Sequence, residues 1–313
     1  MKILLVQPML PHMRFEQRHV NEIKEVCKNC DVVICDGMDK DADIVLCLSR
    51  IDAKEMENLK WVHFLSAGID RYLTEELANS PILVTNSSGV HAIPVAEHVI
   101  GMIIALERKL HKAIINQTKR KWNREEFHDV KEMYGKTIGI VGLGRIGARI
   151  AQIAKSLGLK VIATKKGFAK YEFVDILYPP EELDKLLKES DYVVICLPST
   201  NETKHLFGEE KFRKMKKSAY LINISRGDIV DENALIHALK NNIIAGACLD
   251  VFENEPLQES SELYNLENVI ITPHTAGWTP EYMNRAVKIF CENLKAFLKK
   301  EKMSTLVDKR RGY

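Results

Sequence analysis

Short apolar runs alternate along the chain with stretches of helical periodicity, which is the pattern of an α/β protein built on parallel strands. In the N-terminal part, strands are predicted at residues 2–7, 31–35, 44–47, 61–65 and 82–85. Helical spacing of apolar positions predicts helices at residues 15–27, 53–57 and 75–78. This part of the chain is therefore expected to form one doubly wound α/β unit.

The alternation becomes more regular from about residue 135 onward. Strands are predicted at residues 137–141, 160–163, 174–177, 192–197, 219–224, 243–249 and 269–272, with helices between them. So many parallel strands are typical of a Rossmann dinucleotide-binding domain. A final helix at 280–300 is long enough to return to the first unit. We therefore predict two doubly wound parallel-sheet domains, a Rossmann domain at 99–284 inserted into a flavodoxin-like domain formed by 1–98 and 285–313.

A glycine-rich segment follows the predicted strand at 137–141 and opens a helical segment at 145–157. It reads Gly142-Leu143-Gly144-Arg145-Ile146-Gly147, and the strand–turn–helix setting is the one in which a G-x-G-x-x-G motif has meaning. The first glycine allows a tight turn, the second lets the backbone approach a pyrophosphate, and the third lets the helix pack on the strand. The predicted cofactor-binding residues of this loop are Gly142, Gly144, Arg145 and Ile146.

The strand after this loop ends without the acidic residue that holds the ribose 2′-hydroxyl in NAD sites. The run at 160–163 instead leads into Thr164, Lys165 and Lys166. A carboxylate would repel a 2′-phosphate, whereas a hydroxyl and two ammonium groups would bind one. We therefore predict NADP in preference to NAD. The alternative, that both lysines are ordinary surface charges, leaves NAD open.

Three polar residues, Arg226, Glu255 and His274, each follow a short apolar run. If those runs are neighbouring parallel strands, the three side chains open at one edge of the sheet, where ligands bind in α/β proteins. A planar, always charged guanidinium suits a carboxylate, and a histidine paired with a glutamate suits proton donation near neutral pH. These are the groups that reduction of a 2-oxo acid requires, so we predict all three as catalytic. The alternatives are a structural arginine, a strand-end carboxylate and a core histidine.

Seven ordered segments of the chain carry a further signal. They are Ser66-Ala67-Gly68-Ile69-Asp70, Val95-Ala96-Glu97-His98, the loop at 142–147, and the segments at 197–203, 223–227, 249–256 and 272–274. Together they resemble the D-isomer-specific 2-hydroxyacid dehydrogenase family over nearly the whole chain. The resemblance implies a homodimer that reduces 2-oxo acids with a nicotinamide cofactor, and a substrate-binding domain completed by the C-terminal helix. Arg226, Glu255 and His274 match the family's catalytic residues.

The resemblance also implies roles for residues around these three. Backbone N–H groups of Ser66, Ala67 and Gly68 would bind the substrate carboxylate from the side opposite Arg226, and His274 would also contact the substrate, in a cleft between the two domains. Asp250 would accept a hydrogen bond from the nicotinamide carboxamide. The other predicted cofactor contacts are Leu197, Pro198 and Thr203 on the adenosine side, and Ile224 and Gly277 beside the nicotinamide. Histidines outside the site, His12, His63, His98 and His205 among them, show no partner pattern and are expected to be structural or superficial.

Three positions depart from the family's pattern. His91-Ala92-Ile93-Pro94 stands where Asn-Thr-x-Ser is common, and Trp278 stands where a small residue is common. Both departures bear on the identity of the substrate. Lys165 replaces the ribose-binding acid, which bears on the cofactor.

Composition narrows the setting of this chemistry. The chain has 313 residues, 46% of them hydrophobic, which suffices for two cored domains. A net charge of only +2 indicates no nucleic-acid partner, and the longest apolar stretch, at 99–106, is too short to span a bilayer. Seven cysteines, an odd number, suit reduced thiols in a cytoplasmic protein. Cys27-Lys28-Asn29-Cys30 has no second pair to complete a zinc site, so no metal is predicted.

The leading hypothesis is an NADPH-dependent reductase of glyoxylate, hydroxypyruvate or a related small 2-oxo acid. An NAD-dependent phosphoglycerate dehydrogenase-like enzyme stays open, as does a non-catalytic, cofactor-sensing binding protein like a corepressor. A formate dehydrogenase is disfavoured because that branch pairs its histidine with glutamine, and residue 255 is a glutamate. The polar segment at 112–132, which contains Trp122, is predicted to be the arm of a homodimer.

Overall fold

The computed structural model describes residues 1–10, 13–69, 71–167 and 170–309, so that His12 and Asp70 lie outside the described residues. The chain divides into two compact units. The first is formed by Met1–His91 with Trp278–Tyr313, and the second by Ala92–Gly277. The predicted divisions at 98/99 and 284/285 fall inside two helices, Ala92–Glu107 and Tyr282–Lys299. The two compact units change ahead of these helices, and the buried residues of each helix belong to a hydrophobic core of its own unit.

The elements match the predicted alternation closely. The strands are β1 (Lys2–Val6), β2 (Asp31–Cys35), β3 (Ile44–Cys47), β4 (Trp61–Phe64), β5 (Leu83–Asn86), β6 (Thr137–Val141), β7 (Lys160–Thr164), β8 (Ile176–Tyr178), β9 (Tyr192–Ile195), β10 (Tyr220–Asn223), β11 (Gly246–Leu249) and β12 (Val269–Ile271). The helices are α1 (Gln17–Val26), α2 (Glu75–Asn79), α3 (Ala92–Glu107), α4 (Leu110–Thr118), α5 (Arg145–Ser156), α6 (Leu183–Glu189), α7 (Glu209–Lys214), α8 (Glu232–Lys240) and α9 (Tyr282–Lys299).

Two predicted helices end differently in the structure. The segment predicted as a helix at 53–57 forms a short 3-10 turn, Ala53–Glu55. The spacing of apolar positions also predicts one long helix over residues 95–110, whereas α3 ends at Glu107 and α4 begins after Lys109. Lys109 adopts a left-handed φ of 52°, which interrupts the helical hydrogen bonds and redirects the chain.

In the first unit the strands form a parallel sheet in the order β2-β1-β3-β4-β5. Helices α1 and α9 pack together beside this sheet, although they are distant in the chain. The ring of Phe290, on α9, stacks on the fully buried Trp61 with their centroids 4.9 Å apart. The C-terminal helix therefore supplies part of the first unit's hydrophobic core.

A directed chain of hydrogen bonds crosses that core at His63, which is fully buried. The Ser87 hydroxyl donates to the carbonyl oxygen of Phe64 at 3.2 Å, so Ser87 Oγ accepts from His63 Nε2 at 3.1 Å. His63 Nδ1 is then the acceptor for the Thr85 hydroxyl at 2.7 Å, and Thr85 Oγ accepts from Trp61 Nε1 at 2.8 Å. The arrangement requires a neutral imidazole, and burial lowers the pKa of His63 from 6.5 to about 3.

In the second unit a parallel sheet has the order β12-β11-β10-β9-β6-β7-β8. The direction of strand addition reverses at β6, which pairs with β7 on one side and β9 on the other. Such a reversal opens a crevice at the carboxyl ends of the strands. Helices α3 and α5 pack together in this unit, and Leu143, Ile150 and Ile103 belong to its buried core. The predicted fold class, a Rossmann domain with a flavodoxin-like companion, is confirmed by this topology.

The cysteines correct one expectation. Cys27 and Cys30 form a disulfide in the turn that follows α1, with their Cα atoms 5.4 Å apart. The turn itself brings them together, since Cys30 N–H donates to the carbonyl oxygen of Cys27 at 3.1 Å. The expectation of seven reduced thiols is therefore wrong for this pair, whereas the other five cysteines are free. Across the described residues, no helix is both long and apolar enough to cross a membrane.

Candidate active site

The glycine-rich loop joins β6 to α5, and its glycines meet different demands. Gly142 has a φ of +98°, and a Cβ there would lie 2.8 Å from the carbonyl oxygen of Cys196. At Gly147 a Cβ would lie 2.7 Å from the carbonyl oxygen of Gly142, so glycine lets α5 approach the loop. A Cβ at Gly144 would meet no described atom within 4 Å.

Gly144, where a Cβ would have open space, is the N-cap residue of α5. Arg145 and Ile146 form the first turn of that helix, where backbone N–H groups have no acceptor within the helix. Helix N-termini of this kind bind phosphate groups. The predicted residues around Gly144 therefore fit the pyrophosphate of a dinucleotide both sterically and electrostatically.

Thr164 and Lys165, at the end of β7, hold the glycine-rich loop in place. The hydroxyl of the buried Thr164 accepts the N–H of Gly142 at 3.1 Å, and the carbonyl oxygen of Thr164 accepts the N–H of Leu143 at 2.9 Å. Lys165 Nζ donates to the carbonyl oxygen of Leu143 at 2.7 Å and lies 5.2 Å from the centre of the Tyr171 ring. The structure thus places the Lys165 ammonium group directly beside the loop.

Lys166 has a partner that sequence reasoning missed. Its Nζ lies 3.2 Å from Glu202 Oε2, although the two residues are far apart in the chain. Both side chains are about four-fifths exposed, at 81% and 78%, so the pair contributes little to stability. Lys166 can therefore exchange Glu202 for another anionic partner at small cost.

The segment at 197–203 follows β9 at the same edge of the sheet. The Thr203 hydroxyl donates to the carbonyl oxygen of Pro198 at 2.7 Å and accepts the N–H of Thr200 at 2.8 Å. Thr203 thus closes the segment into a compact turn beside Leu197. A Cβ on Gly142 would lie 2.9 Å from Leu197 Cδ2, which puts Leu197 against the glycine-rich loop.

Arg226 follows β10 and is presented by a buried amide. Asn223 Oδ1 accepts both the N–H and the hydroxyl of Ser225, at 3.2 and 3.0 Å, and its Nδ2 donates to the carbonyl oxygen of Arg226 at 3.0 Å. The guanidinium stays exposed while Nη1 donates to the carbonyl oxygen of Ser225 at 2.8 Å. Ile224, also predicted at the site, is buried beneath this turn with 8% exposure.

Gly227 links the turn at Arg226 to the segment that leads to Glu255. A Cβ at Gly227 would lie 1.9 Å from the carbonyl carbon of Phe252 and 2.4 Å from the nitrogen of Glu253. No side chain fits there. The position therefore needs glycine for close backbone approach rather than for an unusual φ.

His274 and Glu255 form the predicted pair. His274 Nδ1 lies 2.7 Å from Glu255 Oε2, and Glu255 Oε1 accepts the N–H of Phe252 at 3.0 Å. Because Nδ1 faces the carboxylate, Nε2 is the ring nitrogen left available for another partner. His274 has a left-handed φ of 53°, which is uncommon outside glycine and marks a conformation held by its surroundings.

Asp250 supplies that hold. It is 2% exposed, and its carbonyl oxygen accepts the N–H of His274 at 2.8 Å. Its Oδ1 accepts the Thr275 N–H at 2.9 Å and the Thr272 hydroxyl at 2.5 Å, while Oδ2 accepts the Ala276 N–H at 3.0 Å. Asp250 therefore fixes the backbone that carries His274. The predicted contact of Asp250 with the nicotinamide carboxamide stays a prediction, as does the role of Gly277.

His98 fits the expected structural role, and it has partners that the sequence pattern did not indicate. Its Nε2 lies 3.0 Å from Thr272 Oγ and 3.9 Å from Asp250 Oδ1, so it has partners in the support of the site. Since the Thr272 hydroxyl donates to Asp250, it accepts from His98 Nε2. Burial lowers the pKa of His98. Only the spacing of Val95-Ala96-Glu97-His98 on α3 could have indicated that His98 faces this strand end.

Ser66, Ala67 and Gly68 belong to the first unit and follow β4. The carbonyl oxygen of Ser66 accepts the N–H of Ser87 at 3.0 Å, and Asn86 Nδ2 donates to the carbonyl oxygen of Ala67 at 2.9 Å. These bonds tie the segment to the end of β5 and occupy carbonyl groups. The backbone N–H groups at 66–68 stay the predicted substrate contacts.

The geometry agrees with what comparison with known proteins finds. The model for the NAD binding domain of D-isomer specific 2-hydroxyacid dehydrogenases matches residues 100–276. The chain belongs to this family. Over 304 residues it is 41% identical to a protein of Thermofilum pendens named glyoxylate reductase, covering 90% of this chain and 89% of that one.

Two further family members place the chain more widely. A D-3-phosphoglycerate dehydrogenase of Methanocaldococcus jannaschii is 34% identical over 278 residues, which cover 86% of this chain and 52% of that one. The crystal structure of a D-isomer specific 2-hydroxyacid dehydrogenase from Xanthobacter autotrophicus Py2, in complex with NADPH and MES, has a TM-score of 0.83 at 28% identity. That match covers 100% of this chain and 99% of the other. The predicted family and enzyme class, an oxidoreductase using a nicotinamide dinucleotide, are confirmed.

Proposed function

We propose that this family member is an NADPH-dependent reductase of a small 2-oxo acid, with glyoxylate or hydroxypyruvate as substrate. The observation that carries the proposal is the contact of His274 Nδ1 with Glu255 Oε2 at 2.7 Å, on the same sheet edge as the exposed guanidinium of Arg226. The relative from Thermofilum pendens that is named glyoxylate reductase supports this substrate class.

Each of the three side chains has one task in the proposed reaction. Arg226 binds the substrate carboxylate through its planar guanidinium. The nicotinamide cofactor, when bound, supplies the hydride for the carbonyl carbon. His274 delivers a proton from Nε2 to the carbonyl oxygen, while Glu255 fixes the ring and balances its positive charge.

Replacement of His274 tests this assignment. His274→Asn should lower the turnover of glyoxylate by about two to four orders of magnitude, the range for loss of a positioned acid. Cofactor affinity, measured by nucleotide fluorescence, should stay near the wild-type value because the glycine-rich loop is untouched. A variant that keeps near-normal turnover would remove His274 as the proton donor. If the wild-type protein turns over no 2-oxo acid but binds the cofactor tightly, a non-catalytic binding protein would be favoured.

The choice of NADPH rests on the two lysines at the end of β7. Lys165 Nζ is held beside the loop by the carbonyl oxygen of Leu143, and Lys166 has only an exposed partner to exchange. Two charge-assisted contacts with a 2′-phosphate, reduced by solvent exposure, would together contribute about 3 kcal/mol. That free energy corresponds to a preference for NADPH over NADH of roughly a hundredfold.

The ratio of kcat/KM for NADPH to that for NADH measures this preference. Lys165→Asp should move it toward NADH, because a carboxylate repels the 2′-phosphate and accepts from a ribose hydroxyl. Lys217→Asp is the matched control: it makes the same charge change at an exposed residue near the start of β10, at the opposite end of the strands. A wild-type protein that already prefers NADH would refute the reading of both lysines.

The phosphoglycerate dehydrogenase named above supports a second candidate substrate. A panel of glyoxylate, hydroxypyruvate and 3-phosphoglycerate, each assayed with both cofactors in the appropriate direction, separates the two enzymes. We expect the two unphosphorylated acids to give the higher kcat/KM. The opposite ranking would favour the phosphoglycerate dehydrogenase.

We further propose a homodimer formed through the segment that includes α4 and Trp122. This segment exposes large apolar side chains, with Trp122 93% exposed and Ile114 61% exposed. Large apolar side chains exposed along one segment are typical of an interaction surface. Light scattering at micromolar concentration should report a dimer, and Ile114→Asp should shift it toward monomer. A stable wild-type monomer would contradict the proposal.

A further inference from the structure

The segment at 197–207, which contains the proposed adenosine contacts, is tied to both catalytic turns of the second unit. Its Ser199 hydroxyl donates to Asp228 Oδ2 at 2.6 Å, and Asp228 lies two residues beyond Arg226. Its His205 Nε2 lies 2.7 Å from Glu253 Oε1, and Glu253 lies two residues ahead of Glu255. One segment therefore contacts the turns that present two catalytic side chains.

The segment is joined to the turn after Arg226 by backbone hydrogen bonds at one end and by a side-chain hydrogen bond at the other. Backbone hydrogen bonds join the far end of the segment, since His205 N–H donates to Asp228 O at 2.8 Å and Phe207 N–H to Ile229 O at 3.0 Å. The end nearer to Pro198 is joined through side chains, by the bond from Ser199 to the Asp228 carboxylate. Removal of that carboxylate would uncouple the proposed nucleotide-contacting end and leave the backbone ties intact.

The state of Asp228 argues against a role in stability alone. Its Oδ1 is buried, and in the described part of the chain it has no hydrogen-bond partner. A buried oxygen without a partner costs about 1–3 kcal/mol. Retaining such a group beside a catalytic arginine is typical of a functional position, where local rules are broken for geometry.

We propose that Asp228 is a positioning residue that couples occupancy of the 197–203 segment by the dinucleotide to the placement of Arg226. The inference rests on the proposed cofactor site and connects that site to the turn that presents Arg226. Nucleotide bound against Pro198 orders Ser199, Ser199 holds the Asp228 carboxylate, and the carboxylate sets the turn that presents the guanidinium. Gly227, packed without space against Phe252, then transmits the same ordering to the turn at Glu255.

The coupling is measured without catalysis. Oxamate, whose carboxylate lies beside a carbonyl group, reports on Arg226. ADP-ribose and 2′-phospho-ADP-ribose fill the nucleotide site without a nicotinamide that could touch oxamate. Isothermal titration of oxamate in the wild-type protein, with and without either nucleotide, should show affinity increased about fivefold or more when the nucleotide is bound, at the low end of couplings between sites.

Variants of Ser199 and Asp228 test whether the coupling depends on the hydrogen bond between them. Asp228→Ala and Ser199→Ala should each bring the nucleotide effect on oxamate affinity to about onefold, with nucleotide affinity itself near wild type. Asp228→Asn should restore the effect, because its amide oxygen can still accept the Ser199 hydroxyl. Thermal melting of each variant checks that the fold is intact.

The outcomes separate the two proposals. If neither nucleotide binds the wild-type protein, the proposed cofactor site fails and the coupling fails with it. If a nucleotide binds but leaves oxamate affinity unchanged, or if Asp228→Ala keeps the wild-type effect, only the coupling is overturned. If Asp228→Asn behaves like Asp228→Ala, the charge rather than the hydrogen bond is responsible, and the positioning role of the bond is refuted.

Discussion

Acid should destabilise the first unit through His63, and the network around this residue explains why. A proton on Nδ1 would face the Thr85 hydroxyl, which now donates to that nitrogen. The hydroxyl would have to turn its hydrogen away, and its oxygen would then face two donors, because Trp61 Nε1 already donates to Thr85 Oγ. Protonation therefore breaks a buried hydrogen bond and places a charge in an apolar core.

The size of the effect follows from the two protonation equilibria. In the fold the pKa of His63 is about 3, below its ordinary value of 6.5. The neutral form is favoured, so the full stabilisation is present above pH 6.5 and is lost as pH falls toward the pKa of the folded state. Between about pH 7 and about pH 5 the unfolded chain takes up most of one proton here and the folded chain almost none, which removes about 2 kcal/mol.

Trp61 offers a local signal for this unit. The chain has three tryptophans. Trp61 is fully buried beside His63, whereas Trp122 and Trp278 are 93% and 69% exposed. In a background carrying Trp122→Phe and Trp278→Phe, urea unfolding followed by Trp61 emission reports the first unit. Between about pH 7 and about pH 5, the free energy of unfolding of this background protein should fall. When His63→Gln is added to the same background, the fall over this interval should be smaller by about 2 kcal/mol.

A matched replacement guards against a general effect of histidine loss. His237→Gln, at an exposed position on α8, should leave the pH dependence of Trp61 unfolding unchanged. If the protein with His63 and the protein with His63→Gln lose the same stability over this interval, His63 is not the acid-sensitive group, and the directed network does not require a neutral ring.

Two further predictions concern the backbone of the second unit. Gly227→Ala should prevent stable folding or lower the melting temperature sharply, because the new Cβ would lie 1.9 Å from the carbonyl carbon of Phe252. Gly144→Ala should keep the wild-type melting temperature, because its Cβ would have no described atom within 4 Å, and should weaken nucleotide binding. Equal melting temperatures would contradict this. Asp250→Asn should lower stability by about 1–3 kcal/mol, since an amide N–H would face a backbone N–H, and should lower kcat by displacing His274. Asp231→Asn, an equivalent helix N-cap, should change neither.

The sequence predicted most of the fold because hydrophobic periodicity and strand-end chemistry are local signals. The strand ends, the glycine-rich loop and the pairing of Glu255 with His274 all follow from residues near one another in the chain or from strand order. The contacts of His98, Glu202 and Asp228 could not be predicted in this way. Their partners lie 174, 36 and 29 positions away, and such contacts depend on how helices and turns pack.

Local backbone events were also beyond the sequence. The break at Lys109 requires a left-handed conformation that no glycine or proline announces. The pairing of Cys27 with Cys30 depends on a turn of four residues after α1. Cofactor preference, dimerisation, substrate contacts at 66–68 and a cytoplasmic location stay predictions, since they concern groups beyond the folded chain itself.

The divided first unit has a consequence for synthesis on the ribosome. The second unit is contiguous in the chain, so all of its strands emerge before α9 does. The sheet at the N-terminus emerges first but lacks Phe290 over Trp61, and the edge of β5 lacks the pairing of Thr85 with Leu306, until Phe290 and Leu306 have been translated. The nascent chain therefore holds a complete second unit between two incomplete parts of the first. Until α9 is made, the face of Trp61 that Phe290 covers is left as exposed apolar surface, which favours aggregation in an incomplete chain.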